Sequence, residues 1–258
     1  MEAFKKIKGA GKERLDRLLV EQGLTFSRQL AQALILEGAV YSGPLRLEKP
    51  GVRVSRDLPI QIKARRQGFV SRGGFKLEHA IEKFHVPVKG RVCLDIGAST
   101  GGFTHCLLKH GAEHVIALDV GWGQLDSSLQ KDGRVTSVEG MNARFLDRER
   151  LISLSPLAEK IELITVDVSF ISLRKIIENL SQRLMGCEWV CLFKPQFEVR
   201  RKFVKKGGIV AESAVVELAL REFEAFMKTL GLMKRGGPEK TPITGKKSGN
   251  VEYLFYYV

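Results

Sequence analysis

Several polar residues in this sequence stand where short apolar runs end, a place from which side chains can do chemistry. The runs Val92-Cys93-Leu94-Asp95-Ile96, Val115-Ile116-Ala117-Leu118-Asp119 and Leu163-Ile164-Thr165-Val166-Asp167 each carry an aspartate at or near their end, and Trp189-Val190-Cys191-Leu192-Phe193 leads into Lys194. Apolar runs of this kind read as buried parallel strands. The carboxyl ends of such strands share one edge of an open sheet, so Asp167 and Lys194 should meet there. A lysine beside carboxylates can take a proton from a weak hydroxyl nucleophile and hold its oxygen in line with an electrophile. Only a neutral lysine acts as a base; a second cation pushes it toward that state and carboxylates push it away.

The same edge carries Asp95-Ile96-Gly97-Ala98-Ser99-Thr100-Gly101-Gly102-Phe103-Thr104, a glycine-rich strand-to-helix turn through which backbone can approach a nucleotide. Its spacing is neither G-x-G-x-x-G nor G-x-x-x-x-G-K-[ST], which weakens the dinucleotide and nucleoside triphosphate readings. Asp119, at the next strand end, can accept both hydroxyls of an adenosine ribose. An acid before a glycine loop plus an acid at the next strand end is the pattern of methyltransferases that use S-adenosylmethionine. The expected cofactor contacts on this reading are Asp95, Gly97, Ala98, Ser99, Thr100, Gly101, Gly102, Phe103, Asp119 and Asp167. A ribose 2'-hydroxyl needs the help a lysine and carboxylates can give, so Lys194 is assigned as base and Asp167 as an orienting and tuning group.

The elements that would position these residues are legible in outline. Residues 1–11 are basic and aperiodic and read as a flexible tail. Leu15, Leu18 and Leu19 recur at helical spacing up to Gly23, and a second helix should start at Ser27 as N-cap and end at Gly38. From Ala39 to Lys63 short apolar alternations are punctuated by Gly43-Pro44 and Pro50-Gly51 turns, which completes a small α+β module over 12–64. The polar stretch 65–75 reads as a linker, with Lys76 opening the next helix. From 76 to 258 strands alternate with helices, Ser213 to Leu230 reading as a long crossover helix and the aromatic tail from Val251 as a late, antiparallel strand beginning near Glu252. The fold class is α/β: a Rossmann-like unit with a mainly parallel sheet behind a smaller α+β domain.

The chain has 258 residues and 44% hydrophobic content, enough for a full core. Its four cysteines, Cys93, Cys106, Cys187 and Cys191, show no paired spacing, so buried free thiols are expected and no metal. No apolar run reaches the roughly 18 residues a membrane span needs. The start lacks the apolar stretch of a signal peptide, which points to the cytoplasm. The net charge of +13 is concentrated in three nearly acid-free runs, around Lys63 to Lys76, Arg200 to Lys206 and Lys234 to Lys247. Clustering of this sort suits phosphate contact, and Arg65, Arg66, Arg72, Arg200, Arg201 and Lys202 are expected to bind RNA. On charge alone an anionic membrane surface would serve as well.

Two sets of motifs carry a resemblance. Arg14-Leu15-Asp16-Arg17-Leu18-Leu19 and Ser27-Arg28-Gln29-Leu30-Ala31, continuing through Gly38-Ala39-Val40, resemble the small RNA-binding domain of the ribosomal-protein S-four type, with Arg14, Arg17 and Arg28 facing phosphates. Val70-Ser71-Arg72-Gly73-Gly74-Phe75-Lys76-Leu77, the glycine loop, Ala117 to Leu125, Lys194-Pro195-Gln196-Phe197-Glu198 and Gly249-Asn250-Val251-Glu252-Tyr253-Leu254 look like the haemolysin A (TlyA) family. That resemblance implies an FtsJ-like class I methyltransferase domain acting on cytidine 2'-hydroxyls of ribosomal RNA in ribosomal subunits, with S-adenosylmethionine as donor. It implies a lysine-aspartate-lysine-glutamate tetrad at Lys76, Asp167, Lys194 and Glu252. It is mainly on this resemblance that Lys76 and Glu252 join the site, Lys76 tuning and Glu252 steering the hydroxyl. Val120 and Asn142 join the cofactor contacts. The chain departs from the family at His105, Trp122 and Gly140-Met141, which bears on fine cofactor contacts only. A monomer is favoured. The alternatives are an RNA-binding assembly protein without catalysis, and a membrane-active haemolysin.

Overall fold

The computed structural model describes residues 11–25, 27–62, 68–205, 207–242 and 250–258. Arg65 and Arg66, the tail before Gly11, and Lys246 and Lys247 lie outside the described residues. The chain forms two compact units, with the main division between Gly68 and Phe69.

The first unit holds β1 (Lys12–Arg14), α1 (Leu15–Glu21), α2 (Arg28–Glu37), β2 (Val40–Ser42), β3 (Leu45–Arg46), β4 (Arg53–Ser55) and β5 (Gln61–Ile62). Ser27 Oγ accepts the Leu30 N–H at 3.1 Å and opens α2, and Gly38 closes it at φ 75°, a value glycine adopts without cost. Leu15, Leu18 and Leu19 on α1 meet Ala31, Leu34 and Ile35 on α2 in a small core closed by Val40, Leu47 and Ile60. Strands β3, β2 and β5 form one antiparallel sheet and β1 pairs with β4 in another. β1 is a departure from the expected reading: three polar residues form a strand only because a partner far along the chain supplies the hydrogen bonds.

The second unit contains α3 (Arg72–Phe84), β6 (Val92–Ile96), α4 (Gly102–Lys109), β7 (His114–Leu118), α5 (Ser127–Gln130), β8 (Val135–Val138), α6 (Arg148–Leu154) and β9 (Ile161–Val166). It continues through α7 (Arg174–Ser181), β10 (Glu188–Phe193), α8 (Pro195–Glu198), α9 (Ser213–Thr229), β11 (Lys234–Lys240) and β12 (Tyr253–Tyr257). The sheet order is β11-β12-β10-β9-β6-β7-β8, parallel from β10 to β8, with β12 antiparallel to both neighbours. Alternate side chains leave opposite faces of each strand. Cys93, Val115, Leu163 and Val190 pack with Leu77, Ala80 and Ile81 of α3 and Phe103 and Leu107 of α4. Leu94, Ile116, Ile164 and Cys191 pack on the other face with Ile176 and Ile177 of α7 and Phe223 and Met227 of α9. The result is a sheet between two helical layers.

Helix α3 starts earlier than the sequence suggested. Ser71 accepts the Gly73 N–H at 3.3 Å and caps it, so Lys76 sits one turn inside the helix rather than at its start. Phe69 and Val70, within the stretch read as linker, are already buried in this unit. Gly102 explains how α3 reaches the sheet edge: a Cβ there would lie 2.1 Å from Ser71 Oγ and 2.9 Å from Gly74 N. Only glycine lets the two helix starts approach this closely. The strands β8 and β11 carry little apolar periodicity and were not foreseen.

Candidate active site

β6 ends in the glycine loop, whose backbone turns through positive φ at Gly97 (84°), Ser99 (48°) and Gly101 (92°) before α4 begins. A Cβ at Gly97 would lie 2.4 Å from the Asp167 carbonyl oxygen, so glycine is what allows the loop to run against the end of β9. Asp119 holds the rim: its Oδ2 accepts the Ser99 N–H at 2.8 Å and its Oδ1 the Gly121 N–H at 2.7 Å. Each oxygen keeps a further lone pair, and the half-buried carboxylate can accept ribose hydroxyls as well. Val120 beside it is 65% exposed and offers an apolar face. Asn142 is exposed, with its side chain accepting the Arg144 N–H at 3.0 Å. This donor set fits an adenosine.

Asp95 behaves differently from its neighbours. It is fully buried, accepting hydroxyl hydrogens from Thr104 at 2.7 Å and Thr165 at 2.9 Å. Burial pushes its carboxyl up to about 7, against the pull of the two threonines. Its side chain thus pins β6 to α4 and β9 and shapes the loop from behind. Phe103 and Thr100 are buried as well.

Asp167 and Lys194 leave the neighbouring strands β9 and β10 and form an ion pair, Lys194 Nζ standing 2.6 Å from Asp167 Oδ1. Lys194 also donates to Ser169 Oγ at 3.1 Å. Lys76, from α3, and Glu252, just before β12, form a second ion pair at 2.5 Å. The two pairs make one cluster. Burial pushes the Lys194 ammonium down, but Asp167 and Glu252 together more than reverse this and hold it above the ordinary lysine range. Burial pushes Asp167 up, and Lys194 and Lys76 hold it below the ordinary aspartate range. The resting cluster therefore keeps Lys194 protonated, the opposite of what crowding by Lys76 alone would do.

Two aromatic residues escaped the sequence reading. Phe170 is 84% exposed, takes a φ of 66°, which strains a bulky side chain, and follows Asp167 on the same loop. Its ring lies 5.3 Å from that of Phe197 on the turn after Lys194. Their proximity in sequence to the two strand-end residues was the available signal.

The cationic residues expected at an RNA surface divide into two kinds. Arg200, Arg201 and Lys202 are exposed on one loop of the second unit, and Arg17 is exposed on α1. Arg14 and Arg28 also pair with Asp16: Arg14 Nη2 and Arg28 Nε each lie 2.9 Å from Asp16 Oδ2, and Gln32 donates to the same oxygen at 2.7 Å. Asp16 is fully buried. Burial alone would raise its pKa, yet these three partners hold it far below the usual carboxylate range. Arg72 is half-buried at the first position of α3. The cysteines are free and buried. Among the described residues no helix is long and apolar enough to cross a membrane, and no group of His, Cys, Asp or Glu is placed to hold a metal ion.

The chain is similar to known proteins. The FtsJ-like methyltransferase model matches residues 69–257 and the S4 domain model residues 13–60. The YqxC protein of Bacillus subtilis is 44% identical over 95% of this chain and 85% of its own length. The 16S/23S rRNA (cytidine-2'-O)-methyltransferase TlyA of Mycobacterium tuberculosis is 40% identical over 96% of this chain and 90% of its own. Hemolysin A of Brachyspira hyodysenteriae is 40% identical over 95% of this chain and 99% of its own. A hemolysin-designated structure from Streptococcus thermophilus superposes with a TM-score of 0.68 at 36% identity, covering 96% of this chain and 89% of that one. With the glycine loop, the ribose-ready Asp119 and the two lysine-carboxylate pairs at one sheet edge, this chain belongs to the FtsJ-like methyltransferase family, its catalytic unit preceded by an S4 domain.

Proposed function

We propose that this protein transfers a methyl group from S-adenosylmethionine to a ribose 2'-hydroxyl of cytidine in ribosomal RNA. The observation that carries the reading is the joined pair of ion pairs, Lys194 with Asp167 and Lys76 with Glu252, beside the glycine loop. The relatives named for rRNA cytidine 2'-O-methylation, and the S4 domain, support RNA as the substrate class. An rRNA substrate supports a cytoplasmic site of action, and we take the enzyme to act as a monomer on ribosomal subunits.

Asp119, Val120, Asn142 and the backbone of Gly97 to Gly101 would hold the adenosine part of the donor. When bound, S-adenosylmethionine supplies the methyl group and a sulfonium charge that disfavours the protonated form of Lys194. Lys194 Nζ, once neutral, accepts the proton of the 2'-hydroxyl. Asp167 keeps the Lys194 side chain at the sheet edge, as its 2.6 Å pairing already does at rest. Lys76 restrains Glu252, whose carboxylate accepts a hydrogen bond from the same hydroxyl and aligns its oxygen. Phe170 offers an exposed ring on which the target base stacks. Arg17, Arg200, Arg201 and Lys202 supply phosphate contacts, and the S4 unit over 12–64 adds RNA surface.

The test is methyl transfer from labelled S-adenosylmethionine to purified ribosomal subunits, followed by mass-spectrometric mapping of the modified nucleoside. A 2'-O-methylcytidine that is lost with Lys194→Ala is expected. Subunits that are bound but stay unmethylated would instead leave an RNA-binding protein without catalysis.

A further inference from the structure

Glu198 is the last residue of α8, a four-residue helix on the turn that follows Lys194. The side chain reaches across to the chain that follows Asp167. Its Oε2 accepts the Ser172 hydroxyl hydrogen at 2.6 Å and its Oε1 accepts the Leu173 N–H at 2.7 Å. The Ser172 hydroxyl oxygen in turn accepts the Arg174 N–H at 3.2 Å, so the clamp closes on the start of α7. A carboxylate is well placed there, because the first amides of a helix lack partners and carry partial positive charge. Burial raises the Glu198 pKa, which the two bonds and Arg174 only partly offset, so a sheltered acid is retained at an energetic cost.

What the clamp spans matters more than its strength. The loop from Val168 to Leu173 carries Ser169, which accepts a hydrogen bond from Lys194, and Phe170 in its left-handed conformation. The turn from Pro195 to Glu198 carries Phe197, its ring tilted against that of Phe170 with centroids 5.3 Å apart. A left-handed phenylalanine is strained and persists only where its surroundings over-determine it. The bonds to Glu198 add two long-range ties to the Lys194–Ser169 bond and the Phe170–Phe197 contact, and close this loop onto its neighbour. They fix the relative position of two segments, one leaving Asp167 and one leaving Lys194.

We propose that Glu198 is a positioning residue for methyl transfer, locking the loop after Asp167 to the turn after Lys194 so that the ion pair and the Phe170 face hold their reactive arrangement. This rests on the function proposed above. Glu198 touches neither donor nor acceptor, so its removal should be felt in turnover and not in cofactor binding.

The experiment compares full-length wild type, Glu198→Ala, Glu198→Gln and Ser172→Ala in methyl transfer to ribosomal subunits, S-adenosylmethionine titration calorimetry and hydrogen-deuterium exchange. Glu198→Ala should lower kcat about twentyfold or more, since sub-ångström misplacement is enough for losses of that order. Its S-adenosylmethionine Kd should stay within about twofold and its exchange should rise in 168–174 while the glycine loop is unchanged. Glu198→Gln keeps an acceptor for one donor and Ser172→Ala keeps the Leu173 bond, so each should fall between the two extremes. A helix cap alone would lower the melting temperature of Glu198→Ala and leave kcat per folded molecule within about twofold of wild type, and that result overturns the proposal. If Glu198→Ala does not fold, unchanged kcat in both milder variants overturns it equally. Wild type that methylates nothing strikes the proposed function instead, and rising exchange in 168–174 would then still report the clamp.

Discussion

Lys76 and Glu252 stand 176 positions apart in the chain and meet at 2.5 Å. Helix α3 delivers the one and the approach to β12 the other, so a residue near the start of the catalytic unit restrains an acid near its end. If the pair acts as a unit, Lys76→Ala and Glu252→Ala should each lower kcat by about a hundredfold. The double variant should then lose little more than the worse single one, since the second substitution removes an interaction already gone. Single-turnover transfer rates on all three check this, and losses that multiply would show that the two residues work separately.

For Lys194 the resting state sets a pH expectation. Its pKa is held above the ordinary lysine value, so the neutral base is scarce at pH 7 and grows with each rise in pH. As kcat/KM reports the free enzyme, its logarithm should keep climbing beyond about pH 9. The pairing with Asp167 persists meanwhile: an ammonium raised in the fold stabilises below the ordinary lysine pKa and fails only as pH rises through the raised value. A lowered carboxyl such as Asp167 stabilises above the ordinary aspartate pKa and fails only as pH falls through the lowered one. A kcat/KM plateau in the neutral range would take Lys194 out of the proton-accepting role.

Asp95 carries the opposite sign. Its folded pKa of about 7 lies above the unfolded value, so the fold binds its proton more tightly and loses stability as pH rises from about 4 toward 7. Asp95→Asn lacks this loss, and should gain on wild type by something on the order of a few kcal/mol between pH 5 and pH 8. Thermal denaturation at the two pH values measures it. A difference independent of pH would mean that Asp95 ionises freely in the fold, and a large loss of S-adenosylmethionine affinity would return it to the cofactor contacts.

The arginines separate in the same spirit. Removing Arg200, Arg201 or Lys202 should flatten the salt dependence of RNA binding, each lost phosphate contact reducing the log-log slope by about 0.7 to 0.9, with stability unchanged. Arg14→Gln should instead lower the melting temperature, because it leaves a fully buried Asp16 with one partner fewer. Equal melting temperatures for Arg14→Gln and wild type would contradict that structural role.

Phe170→Ala tests the proposed stacking face. Base stacking on an aromatic ring contributes about 1–3 kcal/mol, so KM for RNA should rise by roughly five- to a hundredfold while S-adenosylmethionine binding is kept. Phe170→Trp should retain most of the activity. Unaltered RNA kinetics in Phe170→Ala would assign the exposed ring no part in substrate binding.

The sequence by itself determined the central strands, both helices of the small unit with the Ser27 cap and the Gly38 stop, and the convergence of Asp167 and Lys194 at one edge. These rest on short-range physics: apolar runs of strand length, helical spacing and local capping. The contact between Lys76 and Glu252 came from family likeness and not from any pattern, because it depends on a glycine-mediated approach of α3 to α4 and on an antiparallel last strand. The tertiary structure alone decided that Asp95 and Asp16 are buried braces, and that β11 and β8 complete the sheet. It also decided that carboxylates outweigh the second lysine in setting the charge of Lys194. Burial and pairing across tens to hundreds of positions set those outcomes, and no local spacing encodes which side chain ends beside which.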